Sequence, residues 1–277
     1  MLMLLGFIVL ITCLVIGVRR GGIGLAAVSA IGLVFFIFVM HLNPGKPPVD
    51  VMLTIMAVVT CSAFLQASKG LDVMLKYAEK FLRSNPKYIT ILAPITTWVL
   101  AVLCGTGHVV YAMFPIIYDI AIKQNIRPER PMAVSSIASQ MGVCASPASV
   151  AVVSVVAILG ASPHPFGVMQ ILSISIPATF IGVVMAGLWS LNRGKDLDKD
   201  EMFQAKIADP EQKAFVYGDL ADKSLVNIKL PSSAYKAAGI FLMGIVVIAI
   251  FGSFPQLLPK FADAKGVLKP FSMTPVI

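Results

Sequence analysis

The chain has 277 residues, of which 57% are apolar and 13% are charged, whereas about 25% of an average soluble domain is charged. This composition excludes an ordinary soluble domain and predicts a protein that folds in lipid. The formal charge of +8 does not indicate a nucleic-acid binder, because the basic residues lie between apolar runs rather than on one surface. The four cysteines fall in apolar runs without a CxxC pair or a histidine at ligand spacing, so no disulfide, metal or cofactor site is predicted.

The first apolar run, residues 1–18, has the composition of a signal peptide. No basic residue precedes it, and Arg19 and Arg20 follow it. This order predicts a retained membrane span with its N-terminus outside, rather than a cleaved leader. The apolar runs 22–40 and 51–67 are also predicted spans, because about 20 apolar residues cross a bilayer.

Residues 70–83 carry apolar and charged side chains on opposite faces of a helix. The apolar face consists of Leu71, Met74, Leu75, Ala78 and Leu82, and the charged face of Lys76, Glu79, Lys80 and Arg83. This pattern predicts either a helix that lies in the membrane interface or a solvated connector helix.

The run 88–122 is interrupted by Gly105-Thr106-Gly107. It is too short for two full spans and too long for one. Lys87 lies just before it and Lys123 just after it, so both ends are predicted to lie on the cytoplasmic side. The sequence therefore predicts a re-entrant hairpin over residues 88–122, with its tip inside the membrane.

The uncharged run 132–160 would measure about 43 Å as a straight helix, against about 30 Å of hydrocarbon. Ala145-Ser146-Pro147 stands at its middle. Because an internal proline removes a backbone hydrogen bond and clashes with the preceding turn, a broken helix is expected near the bilayer centre. The run 168–191 is predicted to return across the membrane.

The polar segment 192–230 is predicted to be a solvated cytoplasmic linker, with a specific docking role as the alternative. Residues 1–191 then form a first transmembrane repeat, and residues 231–277 open a second one, whose first span is 234–254. Most of the 22 basic residues fall on the cytoplasmic side of this layout. Because another apolar run begins at 273–277, we expect a truncated protein.

A binding site for an anion is predicted at two helix starts. No Asp, Glu, Lys or Arg occurs between Pro131 and Asn192, so helix N-termini are the remaining source of positive potential there. At Gly105-Thr106-Gly107-His108, Thr106 can cap the second hairpin arm, and the glycines let a ligand approach the backbone closely. His108 could donate a hydrogen bond to a carboxylate, or be a satisfied structural histidine.

The second start is predicted at Ser146-Pro147-Ala148-Ser149, with Ser146 as N-cap, Pro147 at the first helical position and Ser149 adding a hydroxyl one turn in. Two uncharged helix starts at matching depth would hold the two carboxylates of a dianion, as broken helices do in secondary transporters. The predicted substrate-binding residues are Gly105, Thr106, Gly107, His108, Ser146, Pro147 and Ser149. The alternative is that Gly-Thr-Gly is only a turn and Ser-Pro only a kink.

Two further features allow more than one interpretation. The small residues Ser135, Ser139, Gly142 and Ser146 form a stripe on the first half of the broken helix, which could face substrate but is more typical of tight packing. Asp119 is predicted to pair with Lys123, four residues later, with a coupling-ion role as the alternative.

Five segments of the chain resemble the anaerobic C4-dicarboxylate transporter family, and most closely its B type. They are 41–50 (HLNPGKPPVD), 85–88 (NPKY), 104–108 (CGTGH), 125–131 (NIRPERP) and 194–200 (GKDLDKD). The similarity runs the whole length of the chain, and it covers the family's first repeat and the opening of the second.

The resemblance implies a dimeric inner-membrane transporter of inverted repeats that exchanges fumarate, succinate, malate and aspartate during anaerobic respiration in bacteria. For the B type it also implies a regulatory partnership with a membrane sensor histidine kinase. The predicted function is therefore C4-dicarboxylate antiport by a protein that is not an enzyme, since no GxSxG-like signature is present. The alternatives are an ion-coupled carrier of another organic anion and a regulatory membrane subunit.

Overall fold

The structure is a computed structural model that describes residues 2–20, 22–43, 49–160, 166–218, 228–253, 260–262 and 268–270. These ranges contain twelve α-helices and one pair of three-residue strands. The prediction of an all-α polytopic membrane protein is confirmed. The apolar run predicted at 273–277 lies outside the described residues.

Two units make up the chain, residues 1–48 and 49–277. In the first, α1 (Leu2–Arg20) and α2 (Gly22–Phe38) form an antiparallel pair. Their glycines bring them together, since a Cβ built on Gly32 would lie 3.0 Å from the Cys13 sulfur, and one on Gly17 would lie 2.6 Å from the Leu25 side chain. Most other side chains of this pair are apolar and exposed, as expected of surfaces that face lipid.

The second unit contains the remaining elements. They are α3 (Val49–Ala67), α4 (Gly70–Ser84), α5 (Ile89–Cys104), α6 (Val109–Lys123), α7 (Glu129–Cys144), α8 (Val150–Gly160), α9 (Val168–Ser190), α10 (Glu201–Ile207), α11 (Pro210–Tyr217), α12 (Ser232–Ser253), β1 (Lys260–Ala262) and β2 (Leu268–Pro270). The two strands pair antiparallel, with Lys260 opposite Pro270.

Three helical segments among the described residues are long and apolar enough to cross a membrane: Met3–Arg20, Pro86–Cys104 and Val168–Ser190. The spans predicted near 22–40, 51–67 and 234–254 are helical, but their apolar helical parts have only 10–17 residues. The segment Pro86–Cys104 is also the most enclosed of the three, because 50% of it is buried. It includes α5, which therefore packs at the centre of the second unit.

The tightest helix pair of this unit is α5 with α7. A Cβ built on Gly142 would lie 2.7 Å from both the Trp98 carbonyl oxygen and the Ala101 Cβ, so only glycine allows this approach. Ser135 and Ser139 are fully buried in the same helix. The small-residue stripe therefore serves packing, as the sequence pattern favours.

Helix α4 confirms the amphipathic pattern, but its partner is protein. Its apolar residues Met74, Ala78 and Leu82 are buried in the same hydrophobic core as Ala234 and Ala238 of α12. These three side chains therefore pack on protein rather than on lipid. The prediction erred in placing Glu79 on the outer face, because this side chain is fully buried.

The linker predicted over 192–230 is attached to the rest of the second unit in its first half, although most of its residues there are exposed. Arg130 Nη1 donates to Asp196 Oδ1 at 2.7 Å, and its Nη2 donates to the Gly194 carbonyl oxygen at 2.7 Å. Arg127 Nη1 reaches Asp200 Oδ2 at 3.0 Å. The two arginines precede and open α7, so the linker is held against the α6–α7 loop.

An apolar contact completes this docked segment, which comprises residues 193–217. Leu197 and Val216 are buried against Ile122 at the end of α6. The Leu197 N–H also donates to the Asn125 carbonyl oxygen at 3.1 Å. Burial of apolar side chains favours docking over solvation, although the net composition of the segment is polar.

Candidate functional site

The break between the two hairpin arms is built by a left-handed glycine and a threonine. Gly105 ends α5 with φ 67°, and its N–H donates to the Ala101 carbonyl oxygen at 2.9 Å. The His108 N–H then donates to Thr106 Oγ1 at 3.3 Å, and α6 begins at Val109. This hydrogen bond lies within the turn before α6, whose N-cap is His108 without a side-chain capping bond, so the prediction that Thr106 caps the second arm is wrong.

The break between α7 and α8 lies where the sequence places it, but its cap is a different serine. Ser149 Oγ accepts the Val152 N–H at 3.1 Å, and α8 begins at Val150. Ser146 Oγ instead accepts the Ala148 N–H at 3.2 Å within the preceding turn. The prediction that Ser146 caps the helix and that Pro147 opens it is wrong. The turn that begins at Ser146 extends to Ser149, and the helix starts only at Val150.

The two breaks meet. A Cβ built on Gly105 would lie 2.6 Å from the carbonyl oxygen of Ala148 and 3.0 Å from its carbonyl carbon. A side chain at position 105 would thus be excluded by contact as well as by the positive φ. The interruption after α5 and the interruption before α8 therefore form one junction of irregular backbone.

The predicted site residues differ in accessibility. His108 is exposed, and Gly105 and Thr106 are half-buried. Ser146 and Ser149 are fully buried, and both accept backbone N–H groups. Their hydroxyls hold the turn before α8 together, whereas the hairpin tip presents its polar groups outward.

Gln140 of α7 is a polar residue at the junction that the sequence interpretation missed. Its side-chain nitrogen would lie 2.6 Å from a Cβ built on Gly107, so the amide covers the α-carbon of the hairpin tip. Gly107 is buried as a result, whereas Gln140 is exposed. The sequence could have indicated this residue, because Gln140 is the sole amide side chain in the run 132–160.

An apolar cavity of about 660 Å³ reaches the junction from the side of α3 and α12. Its walls include Leu65, Phe241 and Ile248, and it touches the junction at Cys104 and Ala148. A cavity lined in this way suits apolar groups, because a carboxylate placed there would lose its hydration without gaining hydrogen bonds.

Near the end of α6, four charged residues form an ion-pair cluster between α4 and α6, and its two carboxylates are buried. Arg83 Nη1 lies 2.9 Å from Asp119 Oδ2, and Arg83 Nε lies 2.7 Å from Glu79 Oε1. Lys123 Nζ lies 2.8 Å from Asp119 Oδ1, as predicted. Glu79 and Asp119 are almost completely inaccessible, so their charges are neutralised by these cations rather than by water.

Burial lowers the pKa of the Arg83 guanidinium, but hydrogen bonds and charge from Glu79 and Asp119 raise it above its ordinary value. Arg83 therefore stays charged and ties α4 to α6. The sequence did not indicate this contact, because the two helices are separated by the whole of α5.

The comparisons with known proteins point to a single family. The family model described as "Anaerobic c4-dicarboxylate membrane transporter" matches residues 2–277. The chain is 55% identical over 280 residues to the anaerobic C4-dicarboxylate transporter DcuB of Escherichia coli, covering 100% of the chain and 61% of that protein. No solved structure gives a significant match.

Two more distant relatives carry related names. The C4-dicarboxylate transporter DcuA of Wolinella succinogenes is 38% identical over 201 residues, which cover 73% of the chain and 46% of the relative. DcuA of Helicobacter pylori is 34% identical over 246 residues, which cover 88% of the chain and 53% of the relative. The chain thus spans about three fifths of the length of DcuB, and about half that of the DcuA proteins.

Proposed function

Since this chain belongs to the anaerobic C4-dicarboxylate membrane transporter family, we propose that it takes part in the exchange of C4-dicarboxylates across the bacterial inner membrane. The proposed substrates are fumarate, succinate, malate and aspartate. The role is transport rather than catalysis, and the apolar helices make the chain a membrane protein.

The observation that supports this proposal most directly is the contact between Gly105 and Ala148. It brings the start of α6 and the start of α8 to one place, and neither residues 88–122 nor residues 131–192 contain a lysine or an arginine. Helix N-termini carry partial positive charge and point N–H groups at a ligand. Two of them together suit a small dianion.

Each proposed site residue has a role in this arrangement. Gly105 and Gly107 allow the backbone to approach the substrate, while Thr106 and His108 offer polar side chains at the hairpin tip. Ser146, Pro147 and Ser149 fix the turn that aims the start of α8 at the junction. Because no full charge opposes the carboxylates, the substrate can leave again, as exchange requires.

An exchange assay tests the proposal. The chain is reconstituted into liposomes preloaded with labelled succinate, with DcuB of Escherichia coli reconstituted in parallel as a reference. External fumarate should release the label when no ion gradient is present. Release that depends on a sodium or proton gradient would instead support an ion-coupled carrier of organic anions.

A regulatory role is the second candidate, and the docked segment supports it. Met202 and Phe215 are 85% and 81% exposed, although both are apolar and lie on α10 and α11. Exposed apolar side chains on a charged segment favour contact with another protein. For the B type the resemblance implies a dimer and a membrane sensor histidine kinase as partners.

Replacement of Met202 and Phe215 with serine separates this role from transport. Loss of signalling with unchanged exchange would support a regulatory surface. Loss of exchange alone would count against it.

A further inference from the structure

The amide of Gln140 has no hydrogen-bond partner among the described residues, although it can donate two hydrogen bonds and accept others. It lies ten residues after Arg130, which is hydrogen-bonded to the docked segment, and hence about 15 Å along α7 from that end. This is about half of the 30 Å hydrocarbon thickness.

An amide with unmet hydrogen bonds is costly in hydrocarbon, and polar residues at this depth face a protein interior or a water-filled cavity. Gln140 is exposed, so protein of the described part of the chain does not cover it. Within the described part of the chain, its face of α7 is therefore open to a polar ligand.

The residues at the hairpin tip also carry polar groups that lack a hydrogen-bond partner among the described residues. Its side chain covers Gly107, and Thr106 and His108 flank that glycine in the chain. Thr106 accepts a hydrogen bond but its hydroxyl proton has no acceptor among the described residues, and the His108 ring is exposed and makes only a stacking contact with Tyr111, at 6.0 Å. Three polar side chains thus belong to residues that contact Gly107 or adjoin it in the chain, and each can donate to a ligand.

We infer that Gln140 contacts the substrate, donating its amide N–H groups to a carboxylate of the dicarboxylate held at the junction. This inference rests on the proposed function, and it adds Gln140 as a residue that raises the affinity for the substrate. The buried Ser146 and Ser149 keep their hydrogen bonds from backbone N–H groups, so the accessible donors come from α7 and the hairpin tip.

Cys144 provides a reporter for this inference within the chain itself. It is exposed and lies four residues after Gln140, so both side chains project from one face of α7. Cys61 of α3 is exposed as well and serves as the control thiol. Cys104 is buried and therefore does not suit this measurement.

The experiment measures labelling of Cys144 by a membrane-impermeant maleimide, over a range of fumarate concentrations, in the reconstituted chain. In the unaltered chain, fumarate should shield Cys144 and leave Cys61 unaffected. Gln140→Met keeps the length of the side chain but removes its donors, so half-maximal shielding should need about tenfold more fumarate, the equivalent of one lost hydrogen bond. Gln140→Glu should abolish shielding, because a carboxylate repels the dianion.

Ser136→Ala is the matched control, since Ser136 is exposed one turn before Gln140 on the same face, and it should leave shielding unchanged. Gln140→Asn retains an amide and is the second variant at this position, to be used if the methionine variant does not fold. The inference is overturned if Gln140→Met and Gln140→Glu are shielded at the same fumarate concentration as the unaltered chain. Exchange of succinate by the unaltered chain reports separately on the proposed function.

Discussion

Gly105 and Ala148 touch through their backbones, with only 2.6 Å between the Ala148 carbonyl oxygen and the position that a side chain on Gly105 would take. They belong to two different interruptions, 43 residues apart in the chain. This contact makes one irregular region out of two, and irregular backbone at membrane depth is tolerated only where protein or a polar cavity surrounds it.

Gly105→Ala should separate the two breaks. The new methyl group meets the Ala148 carbonyl, and alanine at a left-handed φ of 67° costs about 1–2 kcal/mol in addition. We expect succinate–fumarate exchange to fall at least tenfold.

Gly244→Ala is the matched control for this change, because nothing lies within 4 Å of a Cβ at that position. It should leave exchange intact. Equal exchange by both variants would contradict a functional role for the junction.

Gly142→Ala should weaken the packing of α5 on α7. The methyl group would lie 2.7 Å from the Trp98 carbonyl oxygen and from the Ala101 Cβ, and neither can move without its helix. Overpacking of this kind costs about 1–3 kcal/mol. Thermal unfolding in detergent, followed by intrinsic fluorescence, should show a lower Tm than for Gly244→Ala.

Arg83→Met should destabilise the second unit strongly. It leaves Glu79 and Asp119 buried together without the guanidinium that lies between them, and removal of one partner from a buried ion pair costs about 3–5 kcal/mol. Lys123→Met removes the half-exposed cation of the same cluster and should cost less than about 1 kcal/mol. Similar losses of Tm in the two variants would contradict this account of the cluster.

Arg130→Ala should release the docked segment from α7. The side chain is 9% exposed and makes hydrogen bonds to Asp196 and to the Gly194 carbonyl group. Limited trypsin digestion of the detergent-solubilised protein should then cleave after Lys199 or Lys206 several times faster. Lys195→Ala, which changes an exposed cation in the same segment, should leave the cleavage rate at these two sites unchanged.

Much of the helical layout followed from the sequence, because apolar runs, glycines and prolines act locally. The helix that ends at Cys104, the one that ends at Cys144 and the one that starts at Val168 were all predicted within a few residues. The pairing of Asp119 with Lys123 was also predicted, since a spacing of four residues places both on one helix face.

The choice between Ser146 and Ser149 as the cap of α8 was not decided by the sequence. Both residues are good N-caps, and Pro147 favours the earlier one. Contact of the turn with Gly105 accompanies a later start of the helix. Local propensity therefore located the break but not the first helical residue.

By itself, the sequence determined that this chain is a helical membrane protein with two interrupted helices. Hydropathy and the helix-breaking effect of glycine and proline depend only on neighbours along the chain. Tertiary structure alone decided that the two interruptions touch, that Glu79 is buried beside Arg83, that residues 193–217 dock, and that Gln140 stands at the hairpin tip. Each of these depends on a contact between elements far apart in sequence, where packing complementarity and charge neutralisation in a low dielectric decide the outcome and no local pattern records it.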